Sequence, residues 1–77
     1  MSELLPFLVH ITTVNVQSGK VMDRSGPFES AYLARVACGR NTGQALLWTR
    51  DDQYWVAQKF PLEYRVSLDP ADRFDLP

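Results

Sequence analysis

The sequence has few of the side chains that most catalytic and metal sites require. Its 77 residues include a single cysteine, Cys38, and a single histidine, His10. One thiol can form neither an internal disulfide nor a thiolate metal cluster, which fits a reducing compartment. Nucleophilic catalysis needs a nucleophile, a base and an orienting group, and a cysteine among helical alanines is more typical of core packing. We therefore expect a protein that is not an enzyme, with no cofactor and no metal.

A strong net charge and a long apolar segment are also lacking. The formal charge is -1, whereas a nucleic-acid-binding domain usually carries a basic surface, so the charge argues against direct nucleic-acid binding. No apolar run approaches the roughly 18–20 residues that cross a membrane. The first residues lack the basic leader and cleavage site of a signal peptide. These features predict a soluble protein of the cytoplasm that does not contact a membrane.

Length and composition predict one small domain with an acidic end. The hydrophobic fraction of 45% is ordinary for a globular protein. A chain of this size buries only about 60–65% of its unfolded surface, so its core is small. We expect a single domain over residues 1–68. Residues 69–77 hold Asp69, Asp72 and Asp75 against one basic side chain, Arg73, and predict an acidic C-terminal tail.

The segment over residues 44–60, QALLWTRDDQYWVAQKF, has the pattern of two strands joined by a polar turn. Counting outward from Asp51 and Asp52 pairs Trp48 with Trp55. Because side chains alternate across a strand, the two indole rings share one face. The opposite face receives Leu47, Tyr54 and Val56.

Patterns before this hairpin predict a bent strand, a short strand and a helix. The first strand candidate covers residues 4–16, with Pro6 at its start or at a sheet edge. Its apolar phase changes near Thr12 and Thr13, which predicts a β-bulge or a sharp bend there. A short returning strand at residues 21–22 follows. The helix is expected to begin at residues 25–27 and to end near Arg40, with Gly39 or Gly43 as the stop.

The last pattern completes an α+β fold. Pro61 is expected to end the second strand of the hairpin, and residues 62–68 alternate apolar and polar side chains, as a half-buried strand does. The economical arrangement is a small, mostly antiparallel sheet of about four or five strands with one helix packed on one face. Such a sheet leaves its other face to solvent or to a partner.

One helix cannot cover both faces of a ribbon that carries large side chains on each face. We therefore expect part of the hairpin to bind another protein, since Trp, Tyr and Arg are enriched at binding hot spots. The alternative is that the tryptophan pair belongs to the core, because large aromatic side chains dominate small cores. The predicted protein-binding residues are Trp48, Arg50, Tyr54 and Trp55, with Arg40 and Arg65 as charges at the rim.

The stretch PFESAYLARVACGRNTGQALLWTRDDQYWVAQKFPLEYRVSL resembles small phage-encoded anti-CRISPR proteins in size and in the order of its elements. Those proteins are in most cases non-enzymatic, and they bind a host defence complex, often by occluding its nucleic-acid site. The resemblance implies an inhibitor from a phage or mobile element that binds a larger host protein or protein complex in the host cytoplasm. A homodimer is left open.

The alternative function is a small nucleic-acid-interacting protein or a ribonuclease-like toxin. Its site would recruit basic and aromatic side chains for phosphate contact, base stacking and proton transfer. Base stacking would use Trp48 and Trp55 with Arg40 and Arg50 nearby. The candidates for ribonuclease chemistry are Arg50, Tyr54, Lys59, Arg65 and His10. A hairpin turn is the simpler interpretation of Asp51 and Asp52, since no calcium-binding loop surrounds them.

Overall fold

The computed structural model describes residues 8–69. Within that range the chain forms β1 (Val9–Asn15), β2 (Lys20–Phe28), α1 (Ala31–Thr42), β3 (Thr49–Arg50), β4 (Tyr54–Lys59) and β5 (Leu62–Ser67). All strand pairs are antiparallel and form one sheet in the order β2-β1-β5-β4-β3. The helix contacts β5, β1 and β2. The expected α+β fold is confirmed, with five strands and one helix.

The core lies between α1 and one face of the sheet, which we call the helix face; the opposite surface is the outer face. Ala31 and Ala34 are fully buried, and these small side chains let the helix approach the strands closely. Each large aliphatic side chain removed from water contributes about 1.5–3 kcal/mol. The buried cluster consists of Val9, Ile11, Ala31, Ala34, Cys38 and Val66.

The irregular pairing near Thr13 lies in β2 rather than in β1. Thr13 pairs with Asp23 and Val14 pairs with Val21, so Met22 is the extra residue. Against β5, β1 keeps an unbroken register. An irregularity of the pairing is therefore present where the sequence predicts one, but its extra residue belongs to β2, and the change of apolar phase in β1 has another result. Val14 lies on the outer face, where it is buried.

β2 is longer than the sequence predicts, because it takes residues expected in the helix. It includes Gly26, Pro27 and Phe28. Pro27 is tolerated since β2 is an edge strand of the sheet. Gly26 has a φ of 128°, and a Cβ there would lie 2.9 Å from the carbonyl oxygen of Val9. This segment therefore pairs with β1, although its residues are typical of the start of a helix.

Both ends of α1 carry standard caps. Ser30 is the N-cap, and its Oγ accepts a hydrogen bond from the Leu33 N–H at 3.1 Å. Gly43 ends the helix in the left-handed conformation, with a φ of 72°, and its N–H donates to the carbonyl oxygens of Arg40 and Gly39. Gly43 as the stop is confirmed, whereas the predicted start is several residues too early.

Asp69 connects the end of β5 to the start of α1. Its Oδ2 accepts a hydrogen bond from the Ala31 N–H at 2.8 Å, and the residue is only 8% exposed. A carboxylate also complements the positive end of the helix dipole. Asp69 therefore belongs to the folded domain and not to the tail. The remaining predictions for the tail, residues 70–77, and for residues 4–7 with Pro6 lie outside the described residues.

Replacing Asp69 should destabilise the protein. Asp69→Ala leaves the first N–H of α1 without its acceptor, and we expect a loss of about 1–3 kcal/mol in the free energy of unfolding. Asp69→Asn keeps an acceptor oxygen and should lose less. Urea unfolding followed by tryptophan fluorescence measures both. Asp52→Ala, at an exposed turn position, is the control, and equal midpoints for the two alanine variants would contradict the assignment.

Candidate functional site

The β3–β4 hairpin is paired differently from the sequence prediction. Arg50 pairs with Trp55 and Thr49 pairs with Val56, so the turn is centred one residue later along the chain. Trp48 therefore does not lie opposite Trp55, and that predicted pair is wrong. Each residue therefore pairs with a residue two positions away from its predicted partner. Because side chains alternate with a period of two, each side chain stays on its predicted face.

The Asp51 carboxylate explains where the turn lies. Its Oδ1 accepts hydrogen bonds from the N–H groups of Gln53 and Tyr54, at 2.8 and 2.7 Å. These two bonds lower the pKa of Asp51. The turn interpretation of Asp51 and Asp52 is confirmed. Within residues 8–69 there is no group of three or more His, Cys, Asp or Glu side chains that could hold a metal ion.

Both tryptophans lie on the helix face, half-buried against the core cluster. The guanidinium of Arg35 lies 4.1 Å from the ring centroid of Trp55, and that of Arg50 lies 6.0 Å away. Arg35 is also 6.0 Å from the ring of Tyr32. Cation–π contacts of this kind stabilise a fold by about 0.5–2 kcal/mol each. The arrangement fits the alternative that the tryptophans are core residues.

The other predicted binding residues lie elsewhere. Tyr54 and Arg65 are on the outer face, where Arg65 Nε donates to Glu63 Oε2 at 2.6 Å. Gln58 Nε2 donates to Glu63 Oε1 at 3.0 Å. The bond from Arg65, and next that from Gln58, lowers the pKa of Glu63. Arg40 is exposed in the last turn of α1. The structure therefore divides the six residues among two sheet faces and the helix.

The outer face of the hairpin carries an apolar surface without cover from α1. Leu47, Thr49, Val56 and Gln58 line a shallow depression of about 340 Å³. Leu47 is 86% exposed. Arg65 lies directly across the sheet from Val56. We call this area the hairpin surface, made of Leu47, Thr49, Tyr54, Val56 and Arg65.

Cys38 and His10 do not form a catalytic pair. His10 lies between Val9 and Ile11, which are both buried on the helix face, so its side chain belongs to the outer face. Cys38 lies on the helix-face side and is 3% exposed, and burial raises the pKa of its thiol to about 11. The thiol is therefore protonated at neutral pH and is a poor nucleophile.

A cleft of about 410 Å³ lies between the second half of α1 and the helix face. The sequence could have predicted the position of Lys59 at its rim, because Lys59 alternates in phase with Trp55 and Ala57 along one strand. It could not have predicted that of Asp23, because the extra residue Met22 moves Asp23 to the helix face. We call this site the polar cleft. It is lined by Ile11, Thr13, Asp23, Ser25, Cys38, Asn41, Thr42, Lys59, Phe60, Pro61, Leu62 and Tyr64.

The chain was compared with protein-family models, curated proteins and solved structures. No comparison found a match. Functional inference for this chain therefore depends on the geometry of its own surfaces. In the described residues, no helix has the length and apolar character needed to cross a membrane.

Alkaline pH should destabilise the protein in part through Cys38. Its folded pKa of about 11 exceeds the reference value of 9.0, so the unfolded thiol ionises first as pH rises. The stabilising contribution is fully present below pH 9.0 and is lost as pH rises towards about 11. Unfolding midpoints measured across this window should fall less steeply for Cys38→Ala than for the parent. Parallel slopes would contradict the burial of the thiol.

Proposed function

We propose that this chain is a small, non-enzymatic inhibitor that binds a larger protein complex through the hairpin surface. The observation that carries the proposal is the exposure of Leu47, 86%, beside Val56 on the sheet face that α1 does not cover. Tyr and Arg are the side chains enriched at binding hot spots, and exposed apolar neighbours add area for them to bury. Here Tyr54 and Arg65 lie beside Val56 on the outer face.

The hairpin surface is also preorganised. The Glu63 carboxylate holds Arg65 through a 2.6 Å contact, and two hydrogen bonds to Asp51 fix the turn that precedes Tyr54. Side chains that are already ordered lose less conformational entropy when a partner binds. A rigid surface of this kind suits an inhibitor that acts by occlusion.

Side chains rather than backbone hydrogen bonds are the basis of this recognition. β3 lies at the edge of the sheet but has only two residues. A strand of two residues exposes few backbone N–H and C=O groups with which an added strand of a partner could pair. The depression beside Leu47 instead receives a protruding side chain of the partner.

The resemblance to anti-CRISPR proteins supplies the class of partner in this proposal. A chain encoded by a phage or mobile element would act in the host cytoplasm on a CRISPR-type defence complex. Direct binding to nucleic acid is less favoured, because Arg35 and Arg50 contact the ring of Trp55 and Arg65 contacts Glu63. The formal charge of -1 also offers little attraction to phosphates.

Variants of the hairpin surface test the proposal. The tagged chain is incubated with a purified CRISPR-type effector complex, and binding is measured by interferometry. Leu47→Asp places a charge in the interface, and Tyr54→Ala removes an anchor worth about 2 kcal/mol; we expect each to weaken binding at least about tenfold. Val21→Asp is the matched control, since Val21 is 59% exposed on the far edge strand β2.

Three outcomes would contradict the proposal. The parent chain could fail to bind every effector complex tried and fail to restore plating of a CRISPR-targeted phage. Leu47→Asp could bind as tightly as Val21→Asp. The chain could instead be retained on a polyanion column at low salt and released as ionic strength rises, which would favour the nucleic-acid alternative.

A further inference from the structure

We propose that the polar cleft binds a short peptide with free termini, whose amino group faces Asp23 and whose carboxylate faces Lys59. This site lies on the helix face, away from the hairpin surface, and does not depend on the function proposed above.

The cleft has the size and lining of a small-ligand site. Its volume of about 410 Å³ lies within the range of about 300–1,000 Å³ that such sites occupy. Ile11, Leu62 and the ring of Tyr64 provide an apolar floor, while hydroxyl, amide and charged groups surround it. Sites of this composition bind the uncharged part of a ligand by packing against it, and a few polar contacts orient the ligand.

Asp23 and Lys59 are charges of opposite sign that face the cleft from different strands. Neither forms an ion pair or a hydrogen bond through its side chain within residues 8–69. They lie on β2 and β4, with β1 and β5 between them, and Lys59 is two residues along β4 from Ala57, which is in line with Asp23. Their backbones are therefore roughly 16 Å apart at the usual spacings. The lengths of the two side chains reduce the distance between the charges to about 7–10 Å. Two or three extended peptide residues span that distance.

Thr13 adds a polar group that the fold itself does not use. The residue is 9% exposed and lines the cleft. Its hydroxyl makes no hydrogen bond to another group in the described part of the chain. Because it opens onto the cleft, this hydroxyl is available to hydrogen-bond a ligand bound there. Thr13 lies in register between Asp23 and Tyr64, where the backbone of a bound peptide would pass.

The pair of charges selects the ligand class. A simple anion would be attracted by Lys59 and repelled by Asp23, and a simple cation would meet the reverse. A zwitterion whose charges are separated by a short uncharged body satisfies both groups at once. Peptide N–H and C=O groups along that body match the hydroxyl groups of Thr13 and Ser25 and the amide of Asn41.

Triglycine is the probe for the test. Its binding to the full chain, labelled with nitrogen-15, is followed by amide chemical shifts. We expect saturable shifts at Thr13, Asp23 and Tyr64, and binding at least tenfold weaker for N-acetyl-triglycine amide, which lacks both charges. Absence of saturable shifts at about 10 mM triglycine, equal binding of the blocked peptide, or shifts confined to the hairpin surface would each overturn the proposal.

Variants locate the two charges and the hydroxyl. Asp23→Asn and Lys59→Met should each weaken triglycine binding at least fivefold, whereas Asp52→Asn and Lys20→Met, outside the cleft, should leave it unchanged. Thr13→Val should weaken binding at least threefold without lowering the melting temperature of the free protein. If the cleft variants bind like their controls, the assignment is wrong. Leu47→Asp should not alter the titration, so this result is independent of the inhibitor proposal.

Discussion

In the part of the chain that the structure describes, a single helix has to cover a sheet that is larger than itself, and this constraint shapes the fold. α1 has 12 residues and is therefore about 18 Å long. Five strands at the usual spacing form a sheet about 20 Å wide with two faces. The helix buries Ala31, Ala34 and Cys38 against one face. Among residues 8–69, it leaves part of that face, and all of the other, without a helical layer.

Both candidate surfaces follow from this shortage of cover. On the outer face, strand alternation places Leu47 and Val56 opposite the tryptophans, so the hairpin surface stays apolar and accessible. On the helix face, the second half of α1 lies above the polar row of Asp23, Thr13 and Tyr64. Asp69 accepts a hydrogen bond from the first residue of α1 and thereby joins the start of the helix to the end of β5.

Local periodicity was sufficient to predict the fold class and the faces of the hairpin. The alternation of β5, the turn at Asp51 and the stop at Gly43 depend on neighbouring residues alone. The error in hairpin register was harmless to the faces because the shift was even.

Long-range effects account for what the sequence did not predict. The segment ending at Pro27 has the composition of a helix start, yet pairing with β1 draws it into β2. The hydrogen bond between Asp69 and Ala31 joins residues 38 positions apart. The polar cleft depends on Met22, because an unpaired residue reverses the phase of Asp23. No single-strand pattern contains that information.

Within residues 8–69 the outer face of the hairpin is uncovered, while the helix face carries the core. Methyl NMR of the full chain with a soluble gadolinium chelate tests it most directly, since relaxation increases with exposure to the chelate. The account predicts strong broadening for the Leu47 methyl groups, which are largely exposed, and almost none for Val9 and Val66. Protection of Leu47 equal to that of Val66 would contradict it.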